Sequence, residues 1–127
     1  MLLLIGLLTG GFVSAAMTGK VNADPGAALA SHLNALLGAF WVVGVGWSLE
    51  FLHYGPVGQR RLVWATTLPN VGNWAVTALK AFWKVKGVDA VGDAKNDTIF
   101  GLLTLLVVVP SLGAAAAWVY GFKRPVK

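Results

Sequence analysis

Long apolar runs separated by short polar segments dominate this chain. A membrane-spanning helix needs about 20 mostly apolar residues, with about 17 as the lower limit. Four runs reach this length and end at charged or helix-breaking residues. They cover about residues 2–18, 26–52, 62–82 and 98–122. The pattern therefore predicts four helical spans.

The connections between the spans are short and contain Gly, Pro, Asn and Asp, as at residues 19–25. Such segments end one helix and begin the next, so neighbouring spans are expected to be antiparallel. The predicted fold is all-α: an integral membrane four-helix bundle, up-down-up-down, with both termini on the same side. Residues 1–127 form this single domain, and Asn96 or Asp97 is expected to cap the fourth helix.

The first span also has features of a signal peptide, because Val13-Ser14-Ala15 offers small residues at a plausible cleavage position. No basic residue precedes the apolar run, which favours a retained helix. Gly6 and Gly10 are four positions apart and form a ridge of small residues along this helix. Such a ridge lets another helix approach closely and invites contact between subunits, so we expect a homo-oligomer.

Composition supports the membrane assignment, because 57% of the 127 residues are hydrophobic and 12% are charged. Soluble domains have about 45–50% apolar and about 25% charged residues. The formal net charge of +5 would suggest nucleic-acid binding in a soluble protein. Here the basic residues lie at span ends, where they contact lipid headgroups. We therefore expect a multi-pass protein of the cell membrane that contacts the lipid bilayer and binds no nucleic acid.

Basic residues are equally numerous on the two predicted sides of the membrane. The side with the termini has Arg60, Arg61, Lys123, Arg124 and Lys127, and the other side has Lys20, Lys80, Lys84, Lys86 and Lys95. The count therefore selects no orientation. Cysteine is absent from the sequence, which excludes disulfides, thiolate metal sites and a cysteine nucleophile.

Polar residues inside the third span follow one helix face. Thr66, Asn70, Asn73 and Thr77 are separated by four, three and four positions. Pro69 lies at the start of this stripe, where a proline frees a main-chain carbonyl one turn back. Lipid offers no partner to a side-chain amide, so the stripe is expected to face another helix or a cavity. Simple helix–helix contact is the alternative to a functional site.

Because neighbouring spans are antiparallel, the beginning of the second span lies at the same depth in the membrane as the end of the third. The pocket predicted in this way has two groups of residues. Its polar members are His32, Asn34, Asn73, Thr77 and Thr104, with Asn70 on the same stripe, and its aromatic walls are Trp41 and Trp74. At the opposite end of the bundle, an interfacial cap or surface ion cluster is expected from Glu50, His53, Arg60 and Arg61.

The aspartates of the last connection recur every fourth residue, at Asp89, Asp93 and Asp97. Three carboxylates on one helix face can bind a cation. Because Lys86 and Lys95 lie nearby, a solvated run of charges is the favoured interpretation. We expect no metal site.

Two segments resemble the hydroxylaminobenzene mutases, a family of small four-span membrane isomerases. The residues similar to its second span are Ser31-His32-Leu33-Asn34, Gly38-Ala39-Phe40, Gly44 and Trp47. Those similar to its third span are Asn73-Trp74, Thr77 and Ala81. The resemblance extends from about Gly6 to Gly121. Residues 87–97 depart from the family's pattern, with Asp and Lys where Gly and His are expected.

The resemblance implies an enzyme that converts an arylhydroxylamine, such as hydroxylaminobenzene, to a 2-aminophenol during degradation of aromatic nitro compounds. His32 is the implied proton donor, and Asn34 and Asn73 hold the hydroxylamine and its departing oxygen. Trp41 or Trp74 stabilises the cationic ring. The remaining substrate-binding residues are Asn70, Thr77 and Thr104. No cofactor is expected.

Two alternatives belong to other functional classes. A haem-binding membrane protein would use His32 or His53 as an axial ligand, with His32 favoured. A non-enzymatic four-helix subunit or transporter would use the Asn/Thr stripe to join helices or to line a permeation path.

Overall fold

A computed structural model describes residues 1–123 and contains four helices, with no strand in that part of the chain. The helices are α1 (Leu2–Met17), α2 (Pro25–Ser48), α3 (Pro56–Trp83) and α4 (Ala94–Lys123). They confirm the prediction of an all-α four-helix bundle. Arg124 and Lys127, which were counted above as basic residues near the C-terminus, lie outside the described residues.

Within residues 1–123, two helical stretches are long and apolar enough to cross a membrane. They are Pro25–Phe51, which is α2 with a following 3₁₀ turn, and α4. The apolar α1 has 16 residues, a length of about 24 Å at 1.5 Å per residue. The third helix, α3, has 28 residues, but its polar stripe lowers its hydropathy.

Carboxylate caps begin two of the helices. Asp24 caps α2, since its Oδ1 accepts from Ala27 N at 2.7 Å. Asp93 caps α4, since its Oδ1 accepts from Asn96 N at 2.8 Å. The expectation of a cap at Asn96 or Asp97 is therefore wrong. Asp93 precedes both residues and reaches the free amides of the first turn, so the helix begins earlier.

Asn96 and Asp97 instead hold the connection before α4. The buried Asn96 side chain accepts from Gly87 N at 2.7 Å and donates to the main-chain oxygen of Asp89 at 2.7 Å. The Asp97 carboxylate accepts from Val91 N at 2.9 Å and Gly92 N at 3.0 Å. In the described part of the chain, no group of three or more His, Cys, Asp or Glu side chains is placed to hold a metal ion.

The second helix lies at the centre of the packing, because α2 contacts both α1 and α3, and α4 packs on α3. Small residues let α1 and α2 approach closely. A Cβ atom at Gly6 would lie 2.8 Å from Leu36 Cδ2, and one at Gly10 would lie 3.5 Å from His32 Cε1. The Gly6/Gly10 ridge is therefore covered by α2 of the same chain and is not free for the subunit contact that the sequence suggested.

The fourth helix contains a π-helical segment, Leu103–Val108, immediately before Pro110. Proline has no amide hydrogen, and in a regular α-helix its ring would clash with the carbonyl four residues earlier, that of Leu106. The wider π turn accommodates this proline, and Val109 N–H bonds to Thr104 O across five residues. Leu106 and Pro110 then form part of a groove between α3 and α4.

Candidate functional site

Three polar side chains meet between α2 and α3 and are called the amide cluster: Asn34, Asn73 and Thr77. Asn34 Nδ2 donates to Asn73 Oδ1 at 3.1 Å and to Thr77 Oγ1 at 3.1 Å. Thr77 Oγ1 in turn donates to Asn73 Oδ1 at 3.3 Å. Thr77 is buried and the two asparagines are half-buried. The structure thus brings together three of the residues that the polar stripe placed in one site.

The internal bonds of the amide cluster leave two of its polar atoms unused. Asn73 Nδ2 and Asn34 Oδ1 have no hydrogen-bond partner among residues 1–123. Since no buried side-chain N or O atom of the described chain lacks a partner, both atoms reach the molecular surface. The cluster therefore presents one hydrogen-bond donor and one acceptor to a ligand.

His32 is oriented by the first helix. Its Nδ1 lies 2.7 Å from Gly6 O. A carbonyl oxygen only accepts, so Nδ1 carries the hydrogen and donates it. The ring packs against Gly10, with its Cε1 3.5 Å from the ideal Cβ position of that glycine, an ordinary van der Waals distance. Nε2 has no partner among the described residues and, by the same reasoning as for the amides, reaches the surface.

The structure does not place His32 and Asn34 in one interior pocket. Two positions along a helix correspond to about 200° of rotation and about 3 Å of rise, so His32 bonds to α1 while Asn34 bonds to α3. Leu33 lies between them and is 45% exposed. Together with the exposed Leu37 and Phe40 it forms the outer face of α2. The two polar groups border this outer face.

Both tryptophans of the predicted pocket join helices instead. Trp74 Nε1 donates to Thr9 Oγ1 at 3.0 Å, which links α3 to α1. Trp41 makes an edge-on contact with Trp118 of α4, with 5.2 Å between ring centroids. Thr9 was not predicted, because a single threonine in an apolar helix has no distinguishing pattern.

Asn70 and Thr104 bond to main-chain carbonyls of their own helices. Asn70 Nδ2 donates to Thr66 O at 2.7 Å beside Pro69, and Thr104 Oγ1 donates to Phe100 O at 2.8 Å. These bonds give the Asn70 amide and the Thr104 hydroxyl a hydrogen-bond partner, which lipid cannot supply. Neither residue is hydrogen-bonded to the amide cluster.

At the other end of the bundle, the connection between α2 and α3 is anchored on α4. His53 N donates to Gly121 O at 3.0 Å, and Tyr54 Oη donates to Ala117 O at 2.8 Å. Glu50, Arg60 and Arg61 form no ion pair within residues 1–123. Of the two expectations for this end, an interfacial cap or a surface ion cluster, the ion cluster is therefore not formed by these three residues.

The model of one protein family, described as styrene oxide isomerase, matches residues 1–123. The match includes all four helices, the amide cluster and His32. No curated protein and no solved structure matches the chain.

Proposed function

This chain belongs to the styrene oxide isomerase family, a family of small membrane isomerases, and we propose on this premise that it isomerises small aryl compounds as a multi-pass protein of the cell membrane. The observation that carries the proposal is the free donor and acceptor of the amide cluster, Asn73 Nδ2 and Asn34 Oδ1, on the surface of an apolar bundle. Aryl compounds partition into lipid, so they can approach the outer face of α2 from the bilayer.

The substrate that uses both free atoms is an arylhydroxylamine. Asn73 Nδ2 would donate to its hydroxyl oxygen, and Asn34 Oδ1 would accept from its N–H. An epoxide has an acceptor oxygen but no donor, so it would leave Asn34 Oδ1 without a partner. We therefore favour the conversion of hydroxylaminobenzene to 2-aminophenol, in agreement with the resemblance to hydroxylaminobenzene mutases.

The proposed reaction transfers oxygen without net oxidation. The N–O bond breaks, and its electron pair leaves with the oxygen, which must be protonated as it departs. An oxygen lone pair then forms the bond to the ortho carbon, and loss of the ring proton restores aromaticity. His32 is proposed to act from its imidazolium form, with Nδ1–H bonded to Gly6 O throughout. Nε2–H gives a proton to the departing oxygen, one O–H proton then passes to the nitrogen to form the amine, and Nε2 takes up the ring proton. The substrate would bind at the amide cluster, and because His32 bonds to α1 on the other flank of α2, the protons would pass between the imidazole and the substrate through ordered water.

The test uses detergent-purified protein and phenylhydroxylamine under anaerobic conditions, with 2-aminophenol and 4-aminophenol separated by chromatography. We expect selective 2-aminophenol formation that falls roughly 100-fold or more in His32→Ala, a typical loss for a general acid–base group. Asn73→Leu should also lower turnover, because it removes the free donor. His53→Ala is the matched control at the other end of the bundle and should retain turnover.

Full turnover by His32→Ala would refute the proposed role of the imidazole. If protein with an intact helical circular-dichroism spectrum formed no product, the mutase proposal would fail, and a non-enzymatic subunit or transporter would be favoured.

A second candidate substrate, styrene oxide, is supported by the description of the matching family. Opening of an aryl epoxide breaks the C–O bond at the ring-bearing carbon, and a hydride shift then gives the isomeric aldehyde. This reaction also needs acid assistance at one oxygen and no oxidant. The same assay with styrene oxide separates the candidates, because the preferred substrate has the larger kcat/KM.

Haem is a second possibility for the chemistry at His32. An imidazole whose Nδ1–H donates to a main-chain carbonyl, with Nε2 reaching the surface, has the arrangement of a metal-bound histidine. The apolar outer face of α2 suits a planar apolar group. Bound haem would supply a Lewis acid for the same isomerisation. A Soret absorbance in purified protein, lost in His32→Ala and retained in His53→Ala, would support this alternative, and its absence would favour the cofactor-free reaction.

We also propose that the chain forms a homo-oligomer in which the outer face of α2 borders a cleft between two copies, and that this cleft stays open to the bilayer for substrate entry. Polar atoms that border a lipid-facing surface are costly, and a second copy would shield both His32 Nε2 and the amide cluster. The mass of the purified protein, measured by light scattering with the detergent contribution subtracted, should exceed that of one chain. A monomeric mass would contradict this proposal.

A further inference from the structure

An apolar groove of about 840 Å³ runs between α3 and α4. The amide cluster lies instead between α3 and α2, so the groove is separate from the site described above. Six of the groove's thirteen lining residues are Gly or Ala, which leaves a trough between the two helices. These residues are Gly58, Ala65, Gly72, Gly113, Ala114 and Ala117.

The groove has the length of one membrane leaflet. On α3, Arg61 and Lys80 are 19 positions apart, which corresponds to about 28 Å of helix. The hydrocarbon core of a bilayer is about 30 Å thick, so these two charges lie at opposite headgroup levels. The groove extends along α3 from Gly58 to Gly72, about 21 Å, and its part from Arg61 to Gly72 is about 16 Å long. It therefore ends near the bilayer midplane, as an acyl chain of one leaflet does.

Charge is confined to the headgroup end of the groove. Arg61 is its one charged lining residue, and Arg60, Arg61 and Trp64 line an adjoining cleft of about 390 Å³. Within residues 1–123 neither arginine forms an ion pair, and no carboxylate lines either cavity. Two unpaired guanidinium groups at headgroup level complement a phosphate, and tryptophan is enriched at this level.

We propose that this groove binds an anionic phospholipid, with an acyl chain between α3 and α4 and its phosphate on Arg60 and Arg61. A second copy of this chain is the other possible occupant. An apolar helix of such a copy would fill the trough but would leave both guanidinium groups without an anion. The distribution of charge therefore favours the lipid. The proposal is independent of the substrate and of the chemistry at His32.

The experiment is native mass spectrometry of the purified full chain with added phosphatidylglycerol or phosphatidylcholine. Each basic residue at an anionic membrane surface contributes about 1 kcal/mol, about fivefold in affinity. With two arginines, we expect phosphatidylglycerol to be retained about 30-fold more strongly than phosphatidylcholine. The Arg60→Gln/Arg61→Gln double variant should lose this preference.

A variant that fills the groove tests whether the acyl chain of the lipid binds there. A Cβ atom at Gly113 meets nothing within 4 Å, so Gly113→Leu can enter the groove without a clash, and retention of both lipids should fall. Gly44 of α2 also has nothing within 4 Å of its Cβ position, and it lies outside the groove. Gly44→Leu is therefore the matched control and should retain lipid as the parent chain does.

Equal retention of the two lipids by the parent chain would overturn the proposal, and so would unchanged retention in Gly113→Leu. If Gly113→Leu dissociated an oligomer and left lipid retention unchanged, the groove would belong to a second copy. If Gly113→Leu failed to fold, the arginine double variant would decide, because both of its side chains are exposed.

Discussion

The contact between Gly38 of α2 and Asn70 of α3 allows a direct test of the packing beside the amide cluster. A Cβ atom at Gly38 would lie 2.7 Å from Asn70 Oδ1 and 3.0 Å from Asn70 Cβ. Asn70 cannot withdraw freely, because its Nδ2 donates to Thr66 O at 2.7 Å. We therefore expect Gly38→Ala to push the two helices apart and to lower the free energy of unfolding.

The magnitude follows from two opposing contributions. Replacing glycine by alanine inside a helix stabilises it by about 1 kcal/mol, whereas an extra carbon in a tightly packed contact costs about 1–3 kcal/mol. Gly44→Ala on the same helix meets nothing within 4 Å and has only the first contribution. Gly38→Ala should therefore be about 1–3 kcal/mol less stable than Gly44→Ala.

The assay is equilibrium unfolding in mixed detergent micelles, followed by far-ultraviolet circular dichroism. The double variant Gly38→Ala/Asn70→Ala removes Asn70 Oδ1, the nearest of the colliding atoms, but keeps Asn70 Cβ at 3.0 Å, so it should recover part of the stability lost in Gly38→Ala. Equal stability of Gly38→Ala and Gly44→Ala, or a double variant less stable than Gly38→Ala, would refute the proposed contact.

Two further predictions concern other hydrogen bonds. Trp118→Phe should lower the free energy of unfolding by about 0.5–1.5 kcal/mol, because Trp118 Nε1 donates to Ser48 Oγ at 2.8 Å. Ser48→Ala should cost less in Trp118→Phe than in the parent chain, because only the bond from Ser48 Oγ to Val45 O then remains to be lost, and full additivity in the same unfolding assay would contradict the bond. Asp93→Ala should cost about 1 kcal/mol through loss of the α4 cap. The carboxylate of the exposed Asp89 accepts only from the adjacent Ala90 N, so Asp89→Ala should have a smaller effect, and an equal loss of stability would argue against the cap.

The four helices could be predicted because their signals are local. An apolar run of sufficient length satisfies its own main-chain hydrogen bonds as a helix, and the polar connections mark where each helix ends. The spacing of Asn73 and Thr77 placed both side chains on one face, and the structure bonds them to the same partner, Asn34. The predicted start of α4 lies a few residues too late. Several neighbouring polar residues could cap this helix, and Asp93 is the residue that does so.

The pocket was less predictable, because it required knowledge of how each helix is rotated about its axis. His32 and Asn34 are close in sequence, but they bond to different neighbours. The partner of His32 is the main-chain oxygen of Gly6, and side-chain patterns contain no signal for a main-chain acceptor. Trp41 and Trp74 were likewise assigned to a pocket by depth alone, whereas the structure uses them to join helices.

The sequence by itself therefore determined the fold class, the approximate helices and the polar face of α3. Tertiary structure alone decided that α2 covers the Gly6/Gly10 ridge, that His32 and the amide cluster border the outer face of α2, and that a groove opens between α3 and α4. The physical reason is that lipid is as apolar as the side chains it surrounds. Hydrophobicity consequently does not select which face of an apolar helix turns inward, and close packing and a few hydrogen bonds make that selection.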